Sequence, residues 1–272
     1  MVGGAVLHAV WAAHQLNRMV GVLTKTAAAD KSMLKEFPQS NTDIHWLPSK
    51  ETTSIKNDYT TTDKETRICT NLGQADPYEA DDFPDFKAKA IQYSGLITGE
   101  IDLELIKSLG GKSKLAVDAQ GLTRKVHPDG SMRFSKWEEM REALPHIHYF
   151  KADAAEAEFL TEIPTQDTDG RIRAGKKFVE MGAKEVIISH NKELIAITRD
   201  EVHQFPFKNR NLSGRTGRGD TSFATYITER FDKSPKNALL FATALTSLKM
   251  EIPGPFKKTR EDVQRFIEDL FQ

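Results

Sequence analysis

Apolar positions along the chain repeat first at helical spacing, then as short continuous runs, and the alternation predicts its elements. Gly4 to Leu16, rich in Ala, Val and Leu, predicts a buried helix, Met19–Lys25 a short strand and Ala27–Phe37 a helix. From Asp43 to about Gln74 the pattern changes. HWLPS, TTSIKNDYTT and TRICTNL are Thr-rich, β-branched and partly alternating, which predicts a small antiparallel sheet serving as a lid or dimer surface. After Pro84 the rhythm returns, with strands at Tyr93–Thr98, Lys114–Asp118, His146–Lys151 and Val186–His190. Helices at Leu103–Leu109, Lys136–Leu144, Ala154–Thr161 and Arg171–Met181 fall between or beside them. Leu194–Thr198 and Glu201–Phe205 read as a hairpin, and helices at Asp220–Arg230, Pro235–Met250 and Thr259–Phe271 close the chain. Pro253, Gly254 and Pro255 separate the last two, as helix-breaking chemistry requires. The whole predicts an α/β fold with a mostly parallel sheet covered on both faces. Its core spans residues 1–42 and 75–272 and its β-rich lid residues 43–74. Such sheets bind ligands where strands end and helices begin.

Composition narrows the function classes. The 272 residues suit one large domain or two small ones, at about 150 residues per domain. With 39% hydrophobic and 28% charged residues, the chain has the means to bury a core. Lys and Arg total 38 against 39 Asp and Glu, for a net charge of −1. That balance argues against binding nucleic acid through its phosphates. Cys69 is the only cysteine, so no internal disulfide forms and a reducing compartment fits. The apolar stretch Gly3–Ala13 contains His8, is too short to span a bilayer, and lacks the basic start of a signal peptide. The expectation is a cytoplasmic protein with no membrane partner.

Chemistry concentrates in Ser213–Ser222, SGRTGRGDTS, where Gly217 and Gly219 flank Arg218 and Asp220 follows. Closely spaced glycines ahead of a helix let backbone N–H groups converge on one anion, helped by the positive end of the helix macrodipole. An aspartate there would repel phosphate as a ligand, but it suits a base facing the attacking hydroxyl. The spacing therefore suggests phosphoryl transfer to an alcohol. A tight turn with an aspartate cap explains the same residues and stays open. The stretch is not a Walker loop. Gly111-Lys112-Ser113 supplies that ending elsewhere, but Ile106 occupies the place of the first glycine. Arg218-Gly219-Asp220 as an adhesion tripeptide is accidental in a chain of this class. His146 and His148 share a strand face and read as packing rather than zinc ligands.

TGRGDTSFA, Thr216–Ala224, resembles the signature of the ribokinase-like (PfkB) carbohydrate kinases. The similarity runs in family order through Gly3-Gly4, YFKADAAEAEFLT, VIISHN and FATALTSLKMEIPGP. It implies a three-layer α/β/α sandwich with a small β-rich lid. The implied activity is an ATP- and Mg²⁺-dependent transfer to a sugar or polyol hydroxyl. VDAQGLTRKV together with FKAD resembles the myo-inositol-kinase-like branch. By this resemblance Asp220 is the catalytic base, and the backbone of Gly217, Arg218 and Gly219 forms the anion hole. Asp153 and Glu156 organise Mg²⁺, although on their own the two residues read as a capped, solvated helix start. Ser189, Asn191, Thr216, Thr243 and Gly254 serve the nucleotide, and Gly3, Gly4, His8, Gln120 and Arg124 serve the acceptor.

Several residues depart from the pattern. The family's opening strand, with its sugar-binding Asp, precedes the Gly-Gly element and is not in this sequence, which implies either a natively minimal protein or a longer chain. His8 stands for an Asn, Asp153 for the Asn of N-x-x-E, and Asn191 for a glycine; Gly214 replaces the signature's first Asp. The last change argues against a monovalent-cation site of the family's type. Arg215 and Arg218 replace small residues and add charge beside the phosphate path. These departures motivate two alternatives, a catalytically silent nucleotide-binding regulator and a nucleoside kinase. A homodimer through the β lid is also expected.

Overall fold

In a computed structural model of the chain, residues 3–59 and 67–271 are described, and residues 60–66 of the expected β-rich segment lie outside them. The central sheet has six strands: β5 (Ala90–Tyr93), β6 (Lys114–Asp118), β9 (Tyr149–Asp153), β10 (Glu185–Ser189), β11 (Glu193–Thr198) and β12 (Val202–Pro206). They lie side by side as β12-β11-β10-β9-β6-β5. The run from β5 to β10 is parallel, and β11–β12 is the antiparallel hairpin expected from the sequence.

Parallel strands covered on both faces carry near-continuous apolar runs, as EVIIS and ELIAIT do here. Alternate side chains of a strand face opposite layers. Phe150, Val186 and Ile188 meet α2 (Leu103–Lys112) and α6 (Thr168–Glu180) through Leu109 and Phe178. Tyr149, Ile187 and Ala196 meet α7 (Arg218–Glu229) and α8 (Pro235–Met250) through Phe223, Tyr226 and Leu239. The result is the three-layer α/β/α sandwich. Helix α5 (Ala154–Thr161) follows β9 directly, α9 (Arg260–Leu270) packs on α8, and α1 (Ala5–Gln15) packs on α7. Among the described residues no helix is long and apolar enough to cross a membrane.

The structure departs from expectation in several places; His146, expected on a strand face, lies in the 3₁₀ turn Leu144–His146 before β9. Over Ala28–Glu36 the chain forms a 3₁₀ helix rather than an α-helix, and none of its residues is buried, so no apolar stripe docks to fix an α-helix. It serves as the crossover that parallel pairing requires. Accordingly β2 (Thr42–Ser49) runs parallel to β1 (Val20–Ala27), not antiparallel to its successors. The antiparallel pair is β3 (Ser54–Tyr59) with β4 (Arg67–Gly73), and β4 leaves Ile68 and Leu72 exposed on the ribbon expected to join two copies. Finally, the strand expected at Tyr93–Thr98 ends at Tyr93, because Gly95 packs so closely that a Cβ there would lie 2.0 Å from the Tyr93 hydroxyl.

Candidate active site at the start of α7

Helix α7 begins where the glycines predict. Gly217 takes the helix-capping position in the left-handed region at φ 81°, and Asp220 lies in the first turn. A side chain at 217 would be strained there, and its Cβ would fall 2.4 Å from the His8 ring. Because Gly217 is the cap, the reading of Asp220 as the capping residue does not hold. The three expected anion-hole amides are not equivalent. The Arg218 N–H donates to the Arg215 carbonyl at 3.2 Å, whereas the first-turn position of Gly219 gives its N–H no intrahelical acceptor.

This helix start opens on a cleft of about 1640 Å³. Thr216, Gly217, Asp220 and Gly254 line one side, and Gly3, Gly4, His8, Gln120 and Arg124 also contribute wall. The structure thus brings the expected base and all the expected acceptor residues to one cavity. His8 is buried, and its Nδ1 has no hydrogen-bond partner. Burial, reinforced by the charge of Lys249, lowers its pKa to about 4, so it presents a neutral imidazole to the cleft. Such a ring both donates and accepts, which suits a hydroxyl. Gln120 is held by its own N–H on Asp118 Oδ1 at 3.1 Å. Arg124 lies 3.5 Å from Glu156 and 5.3 Å from the Phe134 ring.

Two lysines that the sequence reading passed over flank Asp220. Lys151, in the middle of β9, is 4% exposed and donates to Asp118 Oδ2 at 2.7 Å. A Cβ on Gly219 would meet its Nζ at 3.1 Å, so glycine at 219 lets the ammonium reach the helix start. Burial alone would lower the Lys151 pKa, but the charges of Asp118, Glu156, Asp220 and Asp153 outweigh it and raise it. Lys249, near the end of α8, also feels the charge of Asp220. A lysine inside the buried run YFKAD was the available signal for the first of these, because buried lysines are rare without a partner.

Asp153 and Glu156 do come together, as a capping box at the start of α5. Glu156 N–H donates to Asp153 Oδ1 and Asp153 N–H to Glu156 Oε2, each at 2.8 Å. Burial, with the Asp153 charge added, raises the Glu156 pKa to about 7 against the opposing pull of Lys151. Among the described residues no group of three potential ligands forms. Glu156 is taken up by the cap and by Arg124, so of the pair Asp153 Oδ2 is the oxygen left for a magnesium ion, which would take water and phosphate oxygens as its main ligands. The residues expected at a nucleotide are scattered. Ser189 ends β10 at 2% exposure, beside Asp153 in register, and Asn191 is half-buried with its Oδ1 unpartnered. Thr243 is fully buried, donates to the Leu239 carbonyl at 2.8 Å and is not among the residues lining the cleft.

Comparison with known proteins gives the same direction. The sequence profile of the pfkB family carbohydrate kinases matches residues 2–259. No curated protein matches by sequence. Among solved structures, a pyrophosphate-dependent kinase in the ribokinase family, complexed with a pyrophosphate analog and myo-inositol, shares 30% identity. Its TM-score is 0.86, over 97% of this chain and 91% of that one. A sulfate complex of a pyrophosphate-dependent kinase in the ribokinase family gives 30% identity and a TM-score of 0.87, over 97% and 92%. Arabidopsis thaliana ribokinase with ribose and ATP has the same fold at 16% identity and a TM-score of 0.73, over 98% and 87%.

Proposed function

Taking as premise that the chain belongs to the pfkB family of carbohydrate kinases, we propose that it transfers a phosphoryl group from inorganic pyrophosphate to a hydroxyl of a myo-inositol-like polyol. The observation that carries this reading is Asp220 at the cleft wall in the first turn of α7, with the buried Lys151 ammonium against Gly219. In the reaction the acceptor oxygen bonds to phosphorus as the P–O–P bond breaks, and inorganic phosphate leaves with the bridging oxygen. Asp220 takes the acceptor's proton. The Gly217 and Gly219 amides and the Lys151 ammonium hold the phosphoryl oxygens, where fixed donors act in a low dielectric without reorganising. His8 and Gln120 orient the acceptor. Asp153, with Glu156 behind it, would hold a magnesium ion, which would supply positive charge to offset that of the donor's phosphates.

Pyrophosphate is favoured over ATP, the donor that the motif resemblance implies. It has no base or ribose, so its binding depends on charge, and Lys151, Arg215 and Arg218 supply charge around the start of α7. Thr243, the residue expected near the base, is fully buried. The relatives near 30% identity are described as pyrophosphate-dependent.

The test follows phosphorus NMR of the protein with Mg²⁺, a panel of polyols, sugars and nucleosides, and either pyrophosphate or ATP. A phosphate ester with release of inorganic phosphate, formed faster from pyrophosphate, is the expected result. Faster ester formation from ATP would return the donor to the nucleotide. No ester from either donor would make the protein a catalytically silent relative.

A further inference from the structure

Lys249 belongs to the last turn of α8, yet it is 2% exposed. An ammonium in that position costs several kcal/mol of desolvation unless it is bonded. Its Nζ donates to two backbone carbonyls, those of Gly214 and Thr216, on the loop that leads into α7. The same loop is fastened to the end of α8 from the other side. The Gly214 N–H donates to the Met250 carbonyl at 2.7 Å, and the Ser213 hydroxyl to the Glu251 carbonyl at 2.6 Å. A Cβ on Gly214 would lie 1.9 Å from the Ile252 carbonyl oxygen, so only glycine allows this approach. Three residues later the chain takes its left-handed turn at Gly217 and enters α7.

We propose that Lys249 is a positioning residue: its ammonium acts as a built-in cation, drawing in the Gly214 and Thr216 carbonyls so that the Gly217 and Gly219 amides face the phosphoryl group. The inference rests on reading the start of α7 as the phosphoryl-transfer site. The carbonyls at 214 and 216 converge on one point, and two acceptors facing each other there repel unless a positive charge lies between them. Burial lowers the Lys249 pKa to about 8 while the Asp220 charge opposes the fall, so the site holds its charge at neutral pH. The same ammonium helps keep His8, which packs against Gly217, in its neutral form. One side chain thereby links the loop, the base and the acceptor-side imidazole.

The experiment compares wild type, Lys249→Met and Lys249→Ala by hydrogen–deuterium exchange over residues 213–220, which needs no turnover, and by kinetics. Melting temperature identifies the folded variants, and if one of the two fails to fold the other carries the test. Loss of a charge-assisted contact to two carbonyls predicts faster exchange in this segment alone. It also predicts a kcat roughly 10- to 100-fold lower, with KM for the acceptor little changed. In Lys249→Ala, ammonium or methylammonium ions are expected to restore both, whereas wild type is indifferent to them. Unchanged exchange at 213–220 in the folded variants overturns the proposal. So does slower turnover in Lys249→Ala that no small cation recovers. A wild type that forms no phosphate ester at all defeats the kinase reading instead, and leaves the exchange result to decide the role of Lys249.

Discussion

The central sheet holds a buried glutamate near each end of its parallel strands, and the two are treated in opposite ways. Glu185, the first residue of β10, accepts from the Tyr226 hydroxyl at 2.7 Å and from Arg230 at 2.7 and 2.8 Å, with His148 at 3.8 Å. Burial pushes its pKa up, but the nearby His148 and the hydrogen bonds from Arg230 and Tyr226 win and bring it to about 2. Glu156, just past the other end of the sheet, is the more buried of the two, at 1% exposure against 6%, and there burial prevails and the pKa rises to about 7. A carboxylate with a full set of donors belongs to the folding of the protein. One left among Asp153, Asp118 and a shared lysine belongs to a site that awaits further charge, as functional sites do. Structure and function thus separate along one set of strands.

Substitutions at the two ends should fail in opposite ways. Asp220→Asn is expected to lower turnover by roughly 10²–10⁴, the range for losing a general base, while its melting temperature stays at the wild-type value. Steady-state kinetics and thermal melts on one preparation check both halves. Glu185→Gln reverses the pattern. Breaking a buried, hydrogen-bonded ion pair costs roughly 3–5 kcal/mol, read from denaturant unfolding, with kcat per folded molecule unchanged.

The smallest effects concern pH. The Glu185 pKa is depressed in the folded state, so its contribution is complete above about pH 4.5 and is lost as pH falls towards about 2. Glu185→Gln should flatten that acid limb. The His8 pKa also lies low, at about 4 against a usual 6.5, so the unfolded chain binds the extra proton between those values. Alone, His8 makes stability fall as pH drops from 6.5 to 4, opposite in sign to Glu156, whose raised pKa favours the folded state there, and the difference between wild type and His8→Asn should show that fall. A difference that does not change with pH would mean the imidazole is not buried as a neutral group.

The core was legible in the sequence because KLAVD and EVIIS are short apolar runs that only a doubly covered strand explains. The start of α7 was legible because glycine spacing and an aspartate in a first turn are local signals. What escaped the reading depends on distant partners. Lys151 is explained by Asp118, 33 positions earlier, and Lys249 by Gly214, 35 positions earlier. Thr243 lies on α8, as motif order implies, and its full burial is set by packing that the sequence does not spell out. The parallel partner of β1 was hidden because β2 reads together with the Thr-rich strands that follow it, and a strand's own residues do not name its partner.

The account stands on backbone amides at the start of α7 gathering a phosphoryl group beside Asp220. Its most direct test is an amide ¹⁵N–¹H NMR titration of the protein with methylenediphosphonate, a pyrophosphate analog that cannot be cleaved. The account predicts saturable shifts largest at Gly217 and Gly219, weakened in Lys151→Met and unaltered in Glu185→Gln. Saturable binding that leaves those two amides unmoved would contradict it.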